Sequence, residues 1–461
     1  MRQHMSRVSW RLLMTCLVVV GVVHLYLFVR LCQRTDSVED DAASLRQLSR
    51  KPATRQQISE LTAARSTSTT GRGRHGNDTV AAVNVTEWAS MPRVMHTGDI
   101  SEIQRVIMEI NAKQLIVNAH LFDGFSWDGT IIVVQVHTRA NYLHYLIESL
   151  RKTAGISDVL LIFSHDYYSS DVNDVIRKVD FCQVMQIYYP YSIQLNQHRF
   201  PGEDPSDCTR DIQKSQAKIK GCPNAEWQDS YGHYREANYT QIKHHWWWKL
   251  HFVMDVLEVG RMHKGVIVLL EEDHYVAPDF IHLLNLMITT QMRSHPAINI
   301  LNLGNYQKRP NFPRYYNTYS IEMWRSSEHN MGMVLFRDTW KTLVNHTEAF
   351  CKYDDYNWDW TLMHISQNLM SPSLRVMYLR APRIFHIGDC GMHKKGTKCD
   401  PVPTVSKYEG LLNGLTKFLF PDSIVLTNNP VRKLRKLKPN GGWGDPRDHQ
   451  LCLNYSQSAT V

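Results

Sequence analysis

Three adjacent acids, Glu271, Glu272 and Asp273, directly follow five uninterrupted aliphatic residues at positions 266–270. Such a run is typical of a buried strand, and carboxylates at its end repel one another and resist burial. The ordinary interpretation is a strand exit, with the acids placed before a helix that begins at residues 278–280. The functional interpretation is a site for a hard divalent cation, which carboxylates hold where nucleotide diphosphates bind.

Polar side chains also follow two other predicted strands. Residues 135–139 (QVHTR) end the first strand of the chain, and residues 164–166 (SHD) end the second. The carboxyl ends of parallel strands meet at one edge of a sheet, where ligands bind. Arg139 and Asp166 could therefore read the base and ribose of a nucleotide, although each alone is more often ordinary loop polarity.

The segment QIKHHWWWKLH at residues 241–251 is rich in aromatic and basic side chains. Three consecutive Trp residues cannot all face one core on a helix, because neighbours point about 100° apart. Part of the segment should therefore serve packing. The residues before the tryptophans, Lys243, His244 and His245, could face a diphosphate.

A second group of candidate residues lies further along the chain. On a helix beginning near Asp355, that residue and Asp359 would be four apart on one face, so one could cap the helix and the other react. A carboxylate beside Trp358 and Trp360 is partly desolvated, which strengthens a general base. The alternative for Asp359 is a structural acceptor of backbone N–H groups. His386 ends a predicted strand and is either a core hydrogen bonder or a second metal ligand.

The elements that must position these side chains alternate between strands and helices. Apolar residues at helical spacing predict helices near residues 100–110, 143–150, 170–179 and 246–257, and aliphatic runs predict strands at residues 130–136, 158–164, 184–189, 266–270 and 298–303. This alternation predicts an α/β fold with a Rossmann-like, mostly parallel sheet.

The basic charge of the chain is concentrated at its start. The first 95 residues hold 13 Lys and Arg against 7 Asp and Glu, whereas the remainder holds 39 against 37. The part that should fold has no strong basic field, which argues against a nucleic-acid partner.

Residues 12–29 are 18 consecutive residues without a charge, long enough to span a bilayer. Arg2, Arg7 and Arg11 precede them without an acid, which predicts a cytosolic N-terminus. We therefore predict a cytosolic tail at 1–11, an uncleaved transmembrane signal anchor at 12–29, a flexible stem at 30–95 and a luminal catalytic domain at 96–461.

A luminal location suits the cysteines and the glycosylation sequons. Cys16 and Cys32 lie in or beside the anchor, and the other seven of the nine cysteines are luminal, which suggests three bridges and one free thiol. Five N-x-S/T sequons also follow it, at Asn77, Asn84, Asn238, Asn345 and Asn454.

Nine collinear blocks then resemble a known family: QVHTR, SHD, FPGEDPSDC, YREANYTQIKHHWWWKLHFV, LLEEDHYVAPDF, SSEHNMG, CKYDDYNWDW, PRIFHIGDCGMH and NGGWGDPRDHQLC. Together they closely resemble the α-1,6-mannosyl-glycoprotein 2-β-N-acetylglucosaminyltransferases over most of residues 130–455. The resemblance implies a GT-A (nucleotide-diphospho-sugar transferase) fold, UDP-N-acetylglucosamine as donor and Mn²⁺ as cofactor.

The resemblance also implies roles for individual residues. Asp273 and His386 match the metal ligands and Asp359 matches the catalytic base, while the roles of Glu271 and Glu272 stay open. The residues that match the donor pocket are Gln135, Val136, His137, Thr138, Arg139, Asp166, Gln241, Ile242, Lys243, His244 and His245, together with Arg309.

The implied reaction is an inverting transfer of N-acetylglucosamine in β-1,2 linkage to the α-1,6-arm mannose of an N-glycan that already bears GlcNAc on its α-1,3 arm. The implied location is the Golgi membrane, as a single-pass type II protein. The implied disulfides are Cys208–Cys222, Cys351–Cys452 and Cys390–Cys399, which leave Cys182 free.

Three alternatives remain open from the sequence. The related transferase that acts on the α-1,3-arm mannose differs in acceptor choice alone. A membrane-anchored glycoside hydrolase also uses paired carboxylates but needs no metal-diphosphate site. A non-catalytic glycan-binding membrane protein would perform no transfer.

Overall fold

The structure is a computed structural model of the chain, and it describes residues 88, 91–307, 309–388, 399–427 and 437–457. Within these ranges, none of the helices combines the length and the apolar character that crossing a bilayer requires. The predicted anchor at 12–29 lies outside the described residues, as does the predicted stem apart from its last few positions.

In the part of the chain that the structure describes, nine strands form one mixed sheet and two more form a small separate sheet. In chain order the strands are β1 (Thr130–Val136), β2 (Leu160–His165), β3 (Gln183–Tyr188), β4 (Val266–Glu271), β5 (His274–Val276), β6 (Ile300–Asn302), β7 (Thr318–Met323), β8 (Met333–Phe336), β9 (Arg375–Leu379), β10 (Ile384–His386) and β11 (Val425–Leu426). The large sheet has the order β11-β7-β9-β6-β8-β4-β1-β2-β3, and β5 pairs with β10 in the small one.

The strand directions divide the large sheet into two halves. Strands β3, β2, β1 and β4 are all parallel. Strand β8 then runs antiparallel to both β4 and β6, and β7 runs antiparallel to β9. The predicted α/β fold with a mostly parallel sheet is therefore confirmed.

Helices cover both faces of this sheet. They are α1 (Ile100–Lys113), α2 (Ala140–Arg151), α3 (Ser170–Ile176), α4 (Lys214–Lys220), α5 (Ala237–His251), α6 (Glu258–Met262), α7 (Phe280–Ser294), α8 (Phe312–Tyr315), α9 (Ser326–His329), α10 (Arg337–Val344), α11 (Thr347–Lys352), α12 (Trp358–Asn368), α13 (Val402–Asn413) and α14 (Pro446–Gln457). Alternate residues of β1 enter opposite cores: Ile132 and Val134 pack on one face, and Ile131 and Val133 on the other. Burial on both faces explains why these strands are continuous apolar runs.

The predicted elements agree with the observed ones to within a few residues, with one exception. Helix α5 begins at Ala237, nine residues before the predicted start, and continues beyond His251 as a π-helical segment, Phe252–Val256. All three tryptophans of this helix are buried. The expectation that they cannot share a core is wrong, because the helix is covered on several sides: Trp246 stacks on Trp358, Trp247 on Phe350 and Trp248 on Phe252.

Two of the implied disulfides are present, Cys208–Cys222 and Cys351–Cys452. Cys182 is free and buried, as expected. Cys399 is disulfide-bonded, and Cys390, its implied partner, lies outside the described residues.

Candidate active site

The carboxyl ends of three adjacent parallel strands meet at one edge of the sheet. In the register of β1, Gln135 pairs with Ser164 of β2 on one side and with Glu271 of β4 on the other. The polar segments that begin at Gln135, Ser164 and Glu271 therefore start side by side in the sheet. Ligands of open α/β sheets bind at this edge, which makes it the candidate active site.

Glu272 has a structural role here that the sequence did not assign. Its carboxylate accepts hydrogen bonds from the backbone N–H of His137 at 2.8 Å and from Nε of Arg139 at 2.6 Å. Arg139 Nη1 also lies 2.8 Å from Oδ2 of Asp273. The positive charge that the acid triplet requires is thus supplied in part by Arg139, whose guanidinium is engaged by two of the three acids.

Asp273 and His386 come together through the small sheet. The pairing of β5 with β10 sets His274 opposite His386, and Nε2 of His386 lies 3.3 Å from Oδ2 of Asp273. Burial by itself would raise the pKa of Asp273, but His386 and Arg139 outweigh it and hold that pKa well below its usual range. The carboxylate is therefore ionised at neutral pH.

The surroundings of Asp273 fit a divalent cation. Its buried Oδ1 has no hydrogen-bond partner among the described residues, and a buried polar atom normally has one. Ligand atoms of Glu271, Asp273 and His274 lie within 4.8 Å of one another. Gly388 keeps the space open, because a Cβ there would overlap the Asp273 carboxylate. Carboxylate oxygens suit Mn²⁺, and imidazole is a common additional ligand.

Asp166 gathers several of the predicted donor-side residues. His137 Nδ1 lies 2.5 Å from its Oδ1. Gln241 donates from Nε2 to its Oδ2 at 3.3 Å, and His245 Nδ1 lies 3.5 Å from the same oxygen. Gln241 and His245 are four residues apart on α5 and share one face, so the structure unites β1, β2 and α5 around one ionised carboxylate.

The remaining donor-side residues differ in their exposure. Thr138 is exposed and Val136 is buried within β1. Ile242 packs against the aromatic core, and Arg309 is exposed on the loop after β6. Contact of these four residues with a donor stays a prediction.

Lys243, His244 and His245 each have at most 1% of their surface exposed. This corrects the expectation that they face a diphosphate, because a side chain without exposed surface cannot contact a ligand that enters from solvent. His244 Nε2 lies 2.9 Å from Asp448 instead, and Lys243 donates to backbone carbonyls.

Asp359 lies in the first turn of α12, with both carboxylate oxygens engaged. Oδ1 accepts from the backbone N–H of Trp360 at 2.9 Å, and Oδ2 accepts from Nδ2 of Asn330 at 2.9 Å. Burial raises the pKa of Asp359 to about 6, although the two hydrogen bonds act to lower it. A carboxylate that is ionised at pH 7, yet has a pKa close to neutrality, is suited to act as a general base.

The relation predicted between Asp355 and Asp359 is wrong. Helix α12 begins at Trp358, with Asn357 as its N-cap residue, so Asp355 lies before the helix and does not share its face. Asp355 accepts hydrogen bonds from Asn357 and from the backbone and side chain of Asn440. It therefore stabilises the turn that delivers Asp359.

Tyr306 contacts Asn330, the residue that donates to the candidate base. Its hydroxyl donates to Oδ1 of Asn330 at 2.9 Å. Burial raises the pKa of Tyr306, and the charges of Glu271, Asp359 and Asp273 raise it further. Tyr306 therefore lies close to the metal-binding candidates as well as to the candidate base.

The sequence reasoning missed four residues of this site: Asn330, Tyr306, His274 and Lys249. Asn330 lies within the SSEHNMG block, so its segment was noticed without a role. Lys249 is buried on α5 and donates from Nζ to Oε1 of Gln135 at 2.6 Å. This lysine is eight residues from Gln241 in sequence. Its position beneath the strand ends is shown only by the fold.

Comparison with known proteins agrees with this geometry. The family model for N-acetylglucosaminyltransferase II (MGAT2) matches residues 104–452. Similar curated proteins are the alpha-1,6-mannosyl-glycoprotein 2-beta-N-acetylglucosaminyltransferases of Sus scrofa, Homo sapiens and Arabidopsis thaliana. They are 45%, 44% and 32% identical, over 76%, 76% and 74% of this chain and 78%, 78% and 77% of theirs, respectively.

Similarity to solved structures is weak. The mannosyltransferase PcManGT from Pyrobaculum calidifontis, in complex with GDP-Man and Mn²⁺, is 10% identical with a TM-score of 0.29, over 72% of this chain and 81% of that one. The match to the family model and the identity to the curated relatives, both over about three quarters of the chain, establish that it belongs to the N-acetylglucosaminyltransferase II family.

Proposed function

We propose that this chain transfers N-acetylglucosamine from UDP-N-acetylglucosamine to the 2-hydroxyl of the α-1,6-arm mannose of N-glycans, by a single inverting displacement within a GT-A fold. The observation that carries the proposal is that Asp273, beside Arg139 and His386, and Asp359, beside Asn330, have pKa values shifted in opposite directions. His386 and Arg139 lower the pKa of Asp273, whereas burial and the charges of Asp355 and Glu271 raise the pKa of Asp359 to about 6. Carboxylates whose pKa values are pushed apart in one site have different roles.

Asp273 and His386 are the residues that would hold a metal ion, with Glu271 and His274 close by. Mn²⁺ bound there would supply positive charge to the diphosphate of the donor and stabilise the UDP leaving group. The chain itself contributes Arg139, which holds Glu272 and Asp273 in place and lowers the pKa of Asp273. Asp166, with His137 and Gln241, provides the polar surface for the nucleoside end of the donor.

Asp359 would remove the proton from the acceptor 2-hydroxyl as its oxygen attacks the anomeric carbon. Its Oδ2 is oriented by Asn330, and Asn330 is oriented by Tyr306. This chain of hydrogen bonds leaves the carboxylate with a defined direction before the acceptor arrives. One displacement converts the α-linked donor to a β-linked product and requires no nucleophilic side chain.

A cavity of about 570 Å³ offers a place for the second arm of the acceptor. Four tyrosines line it, Tyr231, Tyr234, Tyr239 and Tyr356, together with the acids Asp229 and Glu236. Aromatic faces pack against the apolar faces of sugars, and carboxylates accept bonds from sugar hydroxyls. Tyr356 is three residues from Asp359 in sequence, so the cavity adjoins the turn that precedes α12.

Transfer to defined glycans tests the proposal. The purified chain is incubated with UDP-GlcNAc, either with Mn²⁺ or with a chelator. Three acceptors are compared. The first bears GlcNAc on the α-1,3 arm only, the second is the same glycan without that GlcNAc, and the third has only its α-1,3-arm mannose free. We expect Mn²⁺-dependent β-1,2 transfer to the first. Preference for the third would indicate the related α-1,3-arm enzyme, and sugar release without UDP-GlcNAc would indicate a hydrolase. Binding of a glycan acceptor without transfer to any of them would indicate a glycan-binding protein.

We also propose that the protein is a single-pass type II protein of the Golgi membrane with a luminal catalytic domain. The uncharged segment at 12–29 supports this arrangement, and so do two disulfides, which form in oxidising compartments. In sealed microsomes, residues beyond the anchor should resist added protease until detergent is present. Cleavage of those residues without detergent would contradict the orientation.

A further inference from the structure

Helix α5 directs neighbouring side chains to two different parts of the site. Gln241 and His245 face Asp166 on the donor side. Lys243 lies midway between them in sequence, and two residues on a helix correspond to a rotation of about 200°. Its side chain therefore points away from the donor side, and it has no exposed surface.

The ammonium group of Lys243 binds the turn that precedes the helix of the candidate base. Nζ donates to the backbone carbonyl of Asp355 at 2.8 Å and to that of Tyr353 at 3.1 Å. It lies over the ring of Trp443 at 4.3 Å from the centroid and near the ring of Phe350 at 5.2 Å. Among the described residues, the ammonium contacts Tyr353, Asp355, Phe350 and Trp443, which lie on the side of Asp359, and not the strand ends.

The turn that Lys243 binds continues directly into α12. Oδ1 of Asp355 accepts from the backbone and side chain of Asn357, the N-cap residue. Thr361 Oγ1 donates to the carbonyl of Asn357 at 2.9 Å and lies 3.3 Å from the carbonyl of Asp355. Asp359 is two residues beyond the N-cap, so a displacement of the turn displaces the carboxylate.

Burial lowers the pKa of Lys243 to about 7, and the charges of nearby acids act in the opposite direction. The carboxylates of Asp355, Asp354 and Asp448 are the acidic groups whose charges act on it. Removing the partners of a buried cation carries a large desolvation cost. Removing the cation from its buried acceptors does the same. Removal of the ammonium therefore leaves the backbone carbonyl oxygens of Asp355 and Tyr353 without this donor, and the turn should rearrange.

We propose that Lys243 is a positioning residue for Asp359, which it holds at the acceptor through the turn at residues 353–357, and that it is not a ligand of the donor diphosphate. The inference rests on the proposed function, in which Asp359 is the base. It assigns two faces of one helix to two steps: the face of Gln241, which donates to Asp166, to donor binding, and the face of Lys243 to deprotonation of the acceptor.

A matched pair of variants tests this assignment. Lys243→Met removes the ammonium and keeps an unbranched side chain among aromatic neighbours. Lys249→Met does the same for the second buried lysine of α5, whose Nζ bonds Gln135 on the donor side. For Lys243→Met we expect kcat to fall by about 10- to 100-fold, the effect of a misplaced reacting group, with the Kd for UDP-GlcNAc unchanged. For Lys249→Met we expect the reverse, a weaker Kd with a smaller loss of kcat.

A double-mutant comparison separates positioning from a general structural effect. In an Asp359→Asn background, measured by single-turnover transfer with enzyme in excess, Lys243→Met should add less than about a 2-fold loss, because the group that it positions is already disabled. A full additional loss there would overturn the proposal, as would a weakened donor Kd with unchanged kcat.

Failure of the inference and failure of the proposed function are distinguishable. Wild-type kcat in Asp359→Asn alone would refute the base itself. A strong loss in Asp359→Asn combined with normal kcat in Lys243→Met would refute only the role of the lysine. Should Lys243→Met not fold, Lys243→Gln, which keeps a hydrogen-bond donor, is measured in the same way. Failure of both to fold would contradict the proposal, since it would show that the lysine is required for the fold.

Discussion

Asp273 and Asp359 occupy two regions of one site, and their pKa values are shifted in opposite directions. Asp273 follows a buried parallel strand and is surrounded by cationic groups, Arg139 at 2.8 Å and His386 at 3.3 Å. Asp359 lies at the start of a helix, and its direct partners are a backbone N–H and the amide of Asn330. Both are largely buried, yet the pKa of Asp273 is lowered and that of Asp359 is raised to about 6.

The difference shows that the neighbours, and not the depth of burial, decide what a carboxylate can do. Positive neighbours stabilise the ionised form, which is what a metal ligand requires. Neutral amides orient a carboxylate but leave its proton affinity high, which is what a general base requires. Helix α5 places one buried lysine beneath each region. Lys249 donates to Gln135 at the strand ends, and Lys243 donates to the carbonyl of Asp355 in the turn before Asp359.

The largest expected effect comes from disabling the base region. Asp359→Asn keeps the shape and the hydrogen bond to the backbone but cannot accept a proton at neutral pH. General base catalysis contributes about 10²- to 10⁴-fold, so we expect a loss of kcat in that range. The Kd for UDP-GlcNAc, measured by calorimetry, should stay unchanged, and a loss of donor binding would contradict the separation of the two regions.

Disabling the metal region should produce a loss of activity that depends on the Mn²⁺ concentration. Asp273→Asn replaces an ionised ligand with a neutral amide, and even outer-shell changes cost about 10- to 100-fold in metal affinity or activity. We expect at least such a loss at low Mn²⁺, with partial recovery as Mn²⁺ is raised. Activity measured against Mn²⁺ concentration would check this, with Asp359→Asn as the variant that excess metal should not rescue.

A change at Asn330 should shift the pH dependence of the base region alone. The hydrogen bond from Asn330 lowers the pKa of Asp359, so Asn330→Ala should raise that pKa. The base is active when ionised, and the acid limb of kcat, expected near pH 6, should therefore move to higher pH. The limb should move by less than one pH unit, since one bond of about 1 kcal/mol is lost. A limb that moves to lower pH would contradict the assignment.

The smallest catalytic effect is expected from the disulfide beside the base region. Cys351 lies eight residues before Asp359 and is bonded to Cys452. Removal of a native disulfide typically costs about 2–5 kcal/mol of folding free energy. Cys351→Ala/Cys452→Ala should therefore unfold at lower denaturant while kcat at low temperature stays near normal. A large loss of kcat with unchanged stability would mean that the bridge positions the base directly.

Much of this site was predictable because it depends on strand ends. The strand β1 was predicted with its observed bounds, and the acid triplet was placed correctly at the end of β4. Parallel strands bring their carboxyl ends together whatever the details of packing, so Gln135, Asp166 and Asp273 could be assigned to one edge. The blocks that resemble the family then added His386 and Asp359, which periodicity alone could not connect to that edge.

The helical part of the site was predicted less well. The start of α12 was misplaced because Asp355 looks like a helical neighbour of Asp359, although its bonds to Asn440, 85 residues away, decide its conformation. The direction of Lys243 was misjudged for a similar reason. A lysine beside two histidines suggests an anionic ligand, and its burial against the turn at residues 353–357 arises only when α5 and α12 pack together.

The sequence by itself determined the strands, the acids at their ends and the membership of the family, because these depend on local patterns and on collinear blocks. Tertiary structure decided the partners of each charge. Arg139 turned toward Glu272 and Asp273, Lys243 turned away from them, and Asn330 reached Asp359 from a different element. Proton affinity and orientation depend on neighbours within a few ångströms, and those neighbours are brought together from distant parts of the chain only by folding.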